Sequence, residues 1–431
     1  MGRPALGRSR RPGGYRVNEA RPLVGIDVGS STVSVVVATP DDGQLVVHGF
    51  GQARHDGARR GVIAKLDEVS EAIRVAAEEA EAMASMPVEA AVVGIGGTAI
   101  QGNPSTASVP VTGRGDTVCS DDVRRALRAC AQVSIPPDYR VLDIIPCAFG
   151  IDGHSGMEHP VGMPGTRLDA SAYVLYTNRI HAETVEQAVN RAAVAVDMMV
   201  FEPLAAAEAV LARDERELGC VLLDIGHAST EWVLFSDGTV AATGAVPVGG
   251  RHFTSDLAAM LKTTTVAAER TKREIGCAVH REGLDRHAVE VPTLGGDGNQ
   301  IHAGSFVAEI LVERARDLFI AIHSTLAAHG LDRAPRAGVV LTGGGARLEG
   351  LEDEAEAIFG HRARVGVPRG LAGLTEGVCG PEWAVACGLI RLHQRRHGQD
   401  LTSETHRSGL LTWLRNALGD FFELGGGHDR V

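Results

Sequence analysis

The strongest constraint on the fold is a pattern that occurs twice in the chain. The segments GIDVGSSTVSVV and LLDIGHASTEWV, whose aspartates Asp27 and Asp224 lie about 197 residues apart, have the same plan. In each, an apolar strand ends in an aspartate, and an aliphatic residue, a glycine and small polar residues lead into another apolar strand. A duplicated unit of this kind predicts an α/β fold of two similar halves that face each other across a cleft.

The loops of this repeat have the composition of phosphate-binding turns. A strand that turns through glycine and Ser or Thr exposes backbone N–H groups and hydroxyls that surround phosphate oxygens. The aspartate beside each turn, Asp27 or Asp224, is a candidate to position a water or to hold Mg²⁺ through water, because hard cations prefer carboxylate oxygen. The candidate phosphate ligands are Gly29, Ser30, Ser31 and Thr32 in the first loop and Gly226, His227 and Ser229 in the second.

A third glycine-rich segment, LTGGGA, lies between a predicted strand and a predicted helix. Because glycine has no side chain, Gly343, Gly344 and Gly345 would let a flat base lie on the backbone. Alone, each of the three segments is more typical of an ordinary tight turn. Two matched phosphate-type loops followed by a glycine loop, in this order, favour a nucleotide site.

Composition argues against some partners. The net charge is −12 and no internal cluster of Lys and Arg is present, so the chain lacks the basic face that nucleic acid requires. The seven cysteines form no C-x-x-C pair and are interpreted as reduced core thiols rather than a zinc site. Residues 1–20 are rich in arginine without an apolar run, which predicts a disordered basic tail and not a secretory signal.

Strand and helix patterns alternate along the chain. Helices are predicted over residues 65–84 and 181–196, and PLAAAEAVLARDE is predicted to be helical before the strand CVLLDIG. Between about 100 and 178, prolines punctuate short strands around one helix, which indicates an inserted small α+β subdomain. Residues 251–330 are predicted to be largely helical with a short VEVPTL strand, and the polar residues 397–407 are a plausible linker.

The last segment, SGLLTWLRNALGDFFELGGG, predicts a strongly amphipathic helix over residues 408–424. Packing on its own domain is the ordinary fate of such a helix, but the polar linker and the wide bulky face favour one lying in a membrane interface. No stretch of the sequence approaches the roughly 20 apolar residues that span a bilayer. The residues predicted to enter the lipid are Leu410, Leu411, Trp413, Leu414, Leu418, Phe421 and Phe422.

The three glycine loops, in this order, resemble those of the superfamily of actin, heat-shock chaperones and sugar kinases. AERTKREIG also resembles its adenosine-contacting helix, with Glu269 and Lys272 as ribose or base contacts; the alternative is a surface ion pair of neighbouring turns. Within that superfamily, RVLDIIPCAFGIDGHSGMEHPVGMPGTRLDA, ARDERELGCVLLDIG and VVLTGGGARLEGL are similar to the FtsA family of bacterial cell-division proteins. The resemblance runs from about residue 22 to 395.

That resemblance implies an actin-like ATPase fold in which the inserted subdomain replaces one outer actin subdomain. The implied division places subdomain 1A at 21–97 and 179–217, the inserted subdomain 1C at 98–178, subdomain 2A at 218–250 and 331–396, and subdomain 2B at 251–330. It also implies ATP and Mg²⁺ as cofactors, head-to-tail self-assembly, and binding of the FtsZ C-terminal peptide by residues 251–330. The expected location is the cytoplasmic face of the inner membrane at the division septum, where the protein anchors FtsZ filaments and helps recruit later divisome proteins.

Two departures from the family pattern bear on the chemistry. His227 and Ala228 stand where relatives commonly have glycine, and Thr32 stands where many have lysine. Losing one preorganised charge-stabilising group raises a barrier by a few kcal/mol, or about two to three decades in rate, so at most weak ATPase activity is expected. His227 is a candidate phosphate donor, with an ordinary solvent-facing histidine as the alternative. A small-molecule kinase of the superfamily and a pilus-platform scaffold remain as alternative functions.

Overall fold

A computed structural model describes residues 22–41, 43–59, 61–132, 135–296 and 298–397. The predicted basic tail, the predicted linker except for residue 397, and the predicted amphipathic helix over 408–424 lie outside the described residues. The first part of the chain forms β1 (Leu23–Val28), β2 (Thr32–Asp41), β3 (Gln44–Arg54), β4 (Ala58–Arg59), β5 (Val62–Ile63), α1 (Leu66–Ala84) and β6 (Ala90–Ile95). The next part forms β7 (Ile100–Pro110), α2 (Ser120–Cys130), β8 (Tyr139–Ile151), β9 (His154–Met157), β10 (Arg167–Asn178), α3 (Arg179–Arg191), β11 (Ala195–Phe201), α4 (Glu202–Val210) and α5 (Arg213–Leu218).

The remaining elements begin with the second copy of the repeated pattern. They are β12 (Cys220–Ile225), β13 (Thr230–Ser236), β14 (Thr239–Val246), α6 (Gly250–Met260), α7 (Thr265–Ile275), β15 (Ala288–Pro292), β16 (Asn299–Ala303) and α8 (Gly304–Ala328). The chain closes with β17 (Gly338–Thr342), α9 (Leu351–Phe359), β18 (Ala363–Val365), β19 (Leu371–Gly373) and α10 (Ala384–His397). No helix in this described part of the chain is both long and apolar enough to cross a lipid bilayer.

The two copies of the sequence repeat lie in two sheets whose strands are arranged in the same way. One sheet has the order β11-β6-β1-β2-β3-β19, and a second has the order β14-β13-β12-β17-β18. In both, the first strand of the repeat pairs antiparallel with the next strand and parallel with a later one, as β1 does with β2 and β6 and β12 does with β13 and β17. We call the unit built on the first sheet the first half and the unit built on the second sheet the second half.

The inserted segment forms a sheet of its own. Its strand order is β7-β10-β8-β9, all neighbours are antiparallel, and α2 packs on one face. Helix α2 starts where the buried carboxylate of Asp122 accepts the backbone N–H of Cys119, which satisfies a donor at the helix start. The insertion therefore has a small core separate from that of the sheets it interrupts.

The helices α4 and α10 join the two halves. Strand β12 buries alternate residues on opposite sides: Leu223 packs among the helices of the second half, whereas Leu222 belongs to the core around α4 and α10. Backbones approach closely at this junction, because a Cβ on Gly388 of α10 would lie 1.7 Å from the carbonyl oxygen of Ala205 in α4. One continuous core thus fixes the second half against the first.

Two details of the sequence prediction were wrong. The helix predicted to run to residue 196 ends at Arg191, and Ala195–Phe201 is strand β11, which pairs parallel with β6. The segment predicted as one helix before CVLLDIG is broken, because Leu211 is extended between α4 and α5. Alternating small and β-branched residues suit both a helix and a buried strand, and only pairing with β6 decides between them.

The α4–α10 junction yields a stability test in the variant Gly388→Ala. Helix propensity alone would favour alanine by about 1 kcal/mol, but the added methyl group has no room and overpacking typically costs about 1–3 kcal/mol. We expect the variant to unfold at clearly lower urea concentration than wild type. The control is Gly344→Ala, whose new Cβ would meet nothing nearer than 3.9 Å. A Gly388→Ala variant as stable as this control would contradict the tight junction.

Candidate functional site

A cleft of about 700 Å³ opens between the two halves, at the carboxyl ends of the parallel strands. Its volume lies in the range of small-molecule sites. All the residues that the sequence analysis proposed for the nucleotide and metal site line this cleft: Asp27, Gly29, Ser30, Ser31, Thr32, Asp224, Gly226, His227, Ser229, Glu269, Lys272, Gly343, Gly344 and Gly345. Residues from positions far apart in the sequence therefore meet in one site.

The two phosphate-type loops have the same geometry. The N–H of Gly29 donates to the carbonyl of Thr32 at 3.1 Å, and the N–H of Gly226 donates to the carbonyl of Ser229 at 3.0 Å. A Cβ on Gly29 would lie 2.8 Å from the Thr32 carbonyl oxygen, so the turn requires glycine there. Each loop is a tight turn between antiparallel strands, held open toward the cleft.

The first loop rests on a histidine that the sequence analysis missed. His55 Nε2–H donates to the carbonyl of Gly29 at 2.9 Å, and its Nδ1 accepts the N–H of Gly57 at 3.2 Å. The backbone N–H of His55 also donates to the Ser31 carbonyl. Burial lowers the pKa of His55, which matches a neutral ring with one donating and one accepting nitrogen. No local signal in the sequence pointed to this role.

The second loop is held by the start of α6. The N–H of Gly250 donates to the Gly226 carbonyl and that of Arg251 donates to the His227 carbonyl, both at 2.9 Å. A Cβ on Gly249 would lie 2.6 Å from the Gly226 carbonyl oxygen, so the contact requires glycine. The backbone of the loop is thereby fixed while the His227 side chain stays exposed to the cleft.

Four carboxylates converge in the cleft between the two loops. Asp27 and Asp224 come from the repeat, and Glu202 and Glu231 join them. Asp224 and Glu231 are directly opposite on β12 and β13, and Glu231 accepts the N–H of Gly97 at 2.9 Å. A Cβ on Gly96 would lie 2.1 Å from Glu202 Oε2, and one on Gly343 would lie 2.2 Å from Asp224 Oδ1. Bare backbone therefore packs against two of these carboxylates.

Burial and mutual repulsion favour the protonated forms of this cluster. Burial, with the charge of Glu231, raises the pKa of Asp27 to about 7. Burial is also the main cause that raises the pKa values of Asp224 and Glu202 well above their usual range, with the neighbouring carboxylates adding to it. Glu231 shifts in the same direction, chiefly through burial. A cation or a hydrogen-bond donor between the loops would relieve this repulsion.

The described side chains were also compared with the ligand groups that bind metal ions directly. Among the described residues, no three His, Cys, Asp or Glu side chains are grouped to ligate one metal ion. Glu202 and Glu231 were missed by the sequence analysis, although Glu231 falls within the repeat, where Ser34 is its counterpart in the first copy.

Glu269 and Lys272, which were predicted either to contact a nucleotide or to form an ion pair with each other, lie on the cleft wall formed by α6 and α7. Lys272 Nζ lies 2.7 Å from Glu269 Oε2 and also donates to the Gly250 carbonyl and to the Thr254 hydroxyl. The i,i+3 ion pair therefore forms, but in the cleft, where the Lys272 side chain is only 14% exposed. Burial lowers the pKa of Lys272, whereas hydrogen bonds from Lys272 and Thr254 outweigh burial and lower that of Glu269.

In the glycine loop after β17, Gly343 and Gly345 are closely packed, whereas Gly344 is not. A Cβ on Gly345 would lie 2.4 Å from Ile225 Cγ2, and Gly343 is confined by Asp224, so both glycines permit close packing against β12. Gly344 meets only Glu382 Cβ at 3.9 Å and presents bare backbone to the cleft. Arg347 closes the rim through an ion pair with Glu382 at 2.6 Å.

Two halves with one sheet topology and paired turns around a central cleft define an actin-like fold. Solved structures agree: this chain is similar to one in the PilM-PilN type IV pilus biogenesis complex (TM-score 0.61, 18% identity, 86% of this chain and 97% of that one). It is also similar to MreB 5 of Spiroplasma citri bound to AMPPNP (TM-score 0.55, 13% identity, 89% of this chain and 98% of that one). The expected fold class is thus confirmed.

Sequence comparisons identify the family. The family model described as cell division protein FtsA matches residues 221–388, and the model of the SHS2 domain inserted in FtsA matches residues 97–176. The cell division protein FtsA of Pseudomonas aeruginosa is 34% identical over 375 residues, which cover 87% of this chain and 89% of that protein. The chain belongs to the FtsA family of cell-division proteins, as the resemblance of its motifs predicted. The roles of the individual cleft residues and the subdomain boundaries stay predictions.

The carboxylate cluster generates a pH-dependent prediction for Asp27→Asn. With a folded-state pKa of about 7 against 3.8 for the free group, folded protein retains a proton that the unfolded chain loses. Stability therefore falls as pH rises from about 4 to about 7, and the full penalty persists above that window. In buffer with EDTA and no nucleotide, we expect Asp27→Asn to unfold at higher urea concentration than wild type near pH 8, by on the order of 1 kcal/mol or more.

Near pH 5 the two proteins should differ much less, because wild-type Asp27 is then protonated. The control Glu282→Gln changes an exposed carboxylate outside the cleft and should leave stability nearly unchanged at both pH values. An Asp27→Asn variant that is no more stable than wild type near pH 8 would argue against the strained cluster.

Proposed function

We propose that the protein binds ATP with Mg²⁺ in the cleft. The observation that carries this proposal is the pair of matching turns, Gly29 to Thr32 and Gly226 to Ser229, which face each other across a cluster of carboxylates. Their N–H groups and hydroxyls suit a polyphosphate, and the open backbone of Gly344 suits a flat base. MreB 5, which shares the fold, is described bound to AMPPNP, an analogue of ATP, and this supports the assignment.

The side chains of the cleft fit a hydrated Mg²⁺. Whatever part of the carboxylate cluster is ionised repels a triphosphate, and a cation between them would remove that repulsion and favour the ionised carboxylates. Asp27 and Asp224 would hold the ion through water, one from each half of the fold. When bound, Mg²⁺ supplies charge neutralisation on the phosphate oxygens.

Hydrolysis is proposed to be weak at most. Thr32 offers a hydroxyl and no positive charge to the phosphates, and Ala228 is buried and contributes no polar group. Asp27 and Asp224 are proposed to position a water. Burial raises the pKa of Glu202 well above its ordinary value, so Glu202 would accept a proton from that water only if a bound cation first favoured its ionised form. The proposed main role of the nucleotide is to favour an assembled state.

The nucleotide proposal is tested with Asp224→Asn. Loss of a carboxylate that orients a metal-bound water typically lowers affinity about 10–100-fold, so we expect Mg-ATP binding, measured by calorimetry, to weaken by that factor. Adenosine alone should bind both proteins similarly, because its contacts are at Glu269, Lys272 and Gly344. The exposed variant Glu282→Gln should bind Mg-ATP like wild type. A wild-type protein that shows no Mg-ATP binding would overturn the proposal.

We further propose that the protein polymerises at the cytoplasmic face of the inner membrane and anchors FtsZ filaments at the septum, where later divisome proteins are recruited. Membership of the FtsA family supports this role over a small-molecule kinase or a pilus scaffold. The FtsZ C-terminal peptide is proposed to bind within residues 251–330, where Val266, Leu294 and Ile301 are exposed apolar side chains. The lipid contacts are proposed to be Leu410, Leu411, Trp413, Leu414, Leu418, Phe421 and Phe422.

Membrane binding is proposed to depend on assembly. We expect one tail to bind only marginally, in the range of a single acyl chain, for which the binding constant is around 10⁴ M⁻¹. In a head-to-tail polymer, every further helix binds the same surface at high effective concentration, so the assembled form is retained while the monomer exchanges. Nucleotide-dependent assembly would in this way control stable attachment.

Co-sedimentation with liposomes tests the membrane proposal. We expect the full chain to pellet with vesicles, more strongly with Mg-ATP than without it, and to carry a peptide from the FtsZ C terminus into the pellet. A chain ending at Arg407 should stay in solution while still binding the peptide, because the apolar helix is removed and the peptide site is not. Equal pelleting of both chains, or of neither, would count against a tail anchor.

A further inference from the structure

We propose that His227 is a phosphate ligand that takes up a proton when the nucleotide binds, so that this chain couples nucleotide affinity to pH. The inference rests on the proposed nucleotide site and adds a regulatory property to it. It concerns one side chain of the second loop, at the position that Ser30 occupies in the first copy of the repeat.

The His227 imidazole faces the cleft and carries an N–H that donates to no protein group in the described part of the chain. The backbone of His227 is fixed, because its carbonyl accepts the N–H of Arg251 and the adjacent Gly226 is held at both its N–H and its carbonyl. The imidazole is exposed and lines the cleft with Ser30 and Thr32. Within the described part of the chain, the ring makes no hydrogen bond to protein. Both ring nitrogens are therefore available to a bound anion.

The charges around His227 disfavour its protonation while the cleft is empty of phosphate. Lys272 and Glu269 face it from α7, and Arg251 and His252 face it from α6. The carboxylates of Asp27 and Glu202 line the same cleft from the first half, whereas those of Asp224 and Glu231 lie on β12 and β13, the strands that flank the His227 loop. Although His227 is open to solvent on its cleft side, partial desolvation by the cleft walls, followed by the charge of Lys272, lowers the pKa of its ring below the ordinary value of 6.5. The ring is thus neutral near pH 7 in the free protein.

A polyphosphate would reverse this balance. A nearby anion favours the charged imidazolium, which raises the pKa of the group in the complex. Between the lower pKa of the free protein and the higher pKa of the complex, binding takes up a proton. The contribution of His227 therefore increases nucleotide affinity as the pH falls through that window, and it is lost above the window. Ser30 does not titrate, and Lys272 is held in an ion pair with Glu269, so neither replaces His227 in this role. The carboxylates of the cleft also titrate, and comparison of wild type with His227→Gln separates their contribution from that of His227.

The experiment measures Mg-ATP binding to the full chain by calorimetry between about pH 6 and pH 8.5, in two buffers of different ionisation enthalpy, so that proton uptake is counted. The variant His227→Gln keeps a hydrogen-bonding side chain without the titration, and His227→Lys keeps a positive charge throughout. The matched control is His154→Gln, an exposed histidine on the inserted sheet. Adenosine and tripolyphosphate are the probes that separate the base contacts from the phosphate contacts.

We expect wild type to bind Mg-ATP about tenfold more tightly than His227→Gln near pH 6, in line with a hydrogen bond to a charged group, and similarly near pH 8.5. Wild type should also take up more protons than His227→Gln, with the same difference for tripolyphosphate and none for adenosine. The difference in affinity between His227→Lys and His227→Gln should not change with pH, because neither side chain titrates in this range, and His154→Gln should follow wild type. If wild type and His227→Gln have the same pH profile, the inference is overturned although the nucleotide site stands. If wild type binds no Mg-ATP at any pH, the proposed function fails as well.

Discussion

The cleft depends on the close packing of α4 and α10 between the two sheets. Gly388 lies against the carbonyl of Ala205, and a Cβ on Gly25 of β1 would lie 2.6 Å from the carbonyl of Ala386 in α10. Helix and strand backbones are therefore in contact, with no side chains between them that could compress or slide. Leu222 of β12 belongs to the same core as β1, α4 and α10. The first strand of each repeat is therefore packed against the same two helices, which fixes the separation of the two loops that follow these strands.

That rigid support has an electrostatic cost. It holds Asp27, Asp224, Glu202 and Glu231 in one partly dehydrated space, where burial raises the pKa of all four groups and neighbouring carboxylates raise those of Asp27, Asp224 and Glu202 further. A fold selected for stability alone would not keep this arrangement, because neutral residues of similar size would remove the repulsion. The strain makes sense if the cleft is completed by a ligand that brings cations and donors with it. Stability and nucleotide affinity are then coupled, since whatever relieves the carboxylates also stabilises the folded state.

The sequence predicted those features of the site that are encoded locally. Asp27, Gly29, Asp224 and Gly226 belong to a repeated strand–turn–strand pattern, and Glu269 and Lys272 are one helical turn apart, so periodicity alone relates them. Glu231 and His55 were missed because their roles arise from contacts between distant segments, such as the bond from Gly97 to Glu231 across 134 residues. Strand β11 was missed for the same reason, since its pairing partner β6 precedes the whole inserted subdomain. Local chemistry was thus readable, whereas burial and long-range pairing were not.

The two halves share a topology but differ in how the loop after their central parallel strand is used. In the second half this loop contains Gly344, whose backbone is open to the cleft. The equivalent loop of the first half follows β6 and also carries glycines, but Glu202 packs against Gly96, and His181 Nε2–H donates to the Gly96 carbonyl at 2.9 Å. The space beside the loop after β6 is therefore occupied by the side chains of Glu202 and His181, whereas the corresponding space beside Gly344 in the second half is open. If the proposed nucleotide binds, the described part of the cleft would accept its base against Gly344 rather than at the filled loop of the first half, and its phosphates would then lie between the two turns.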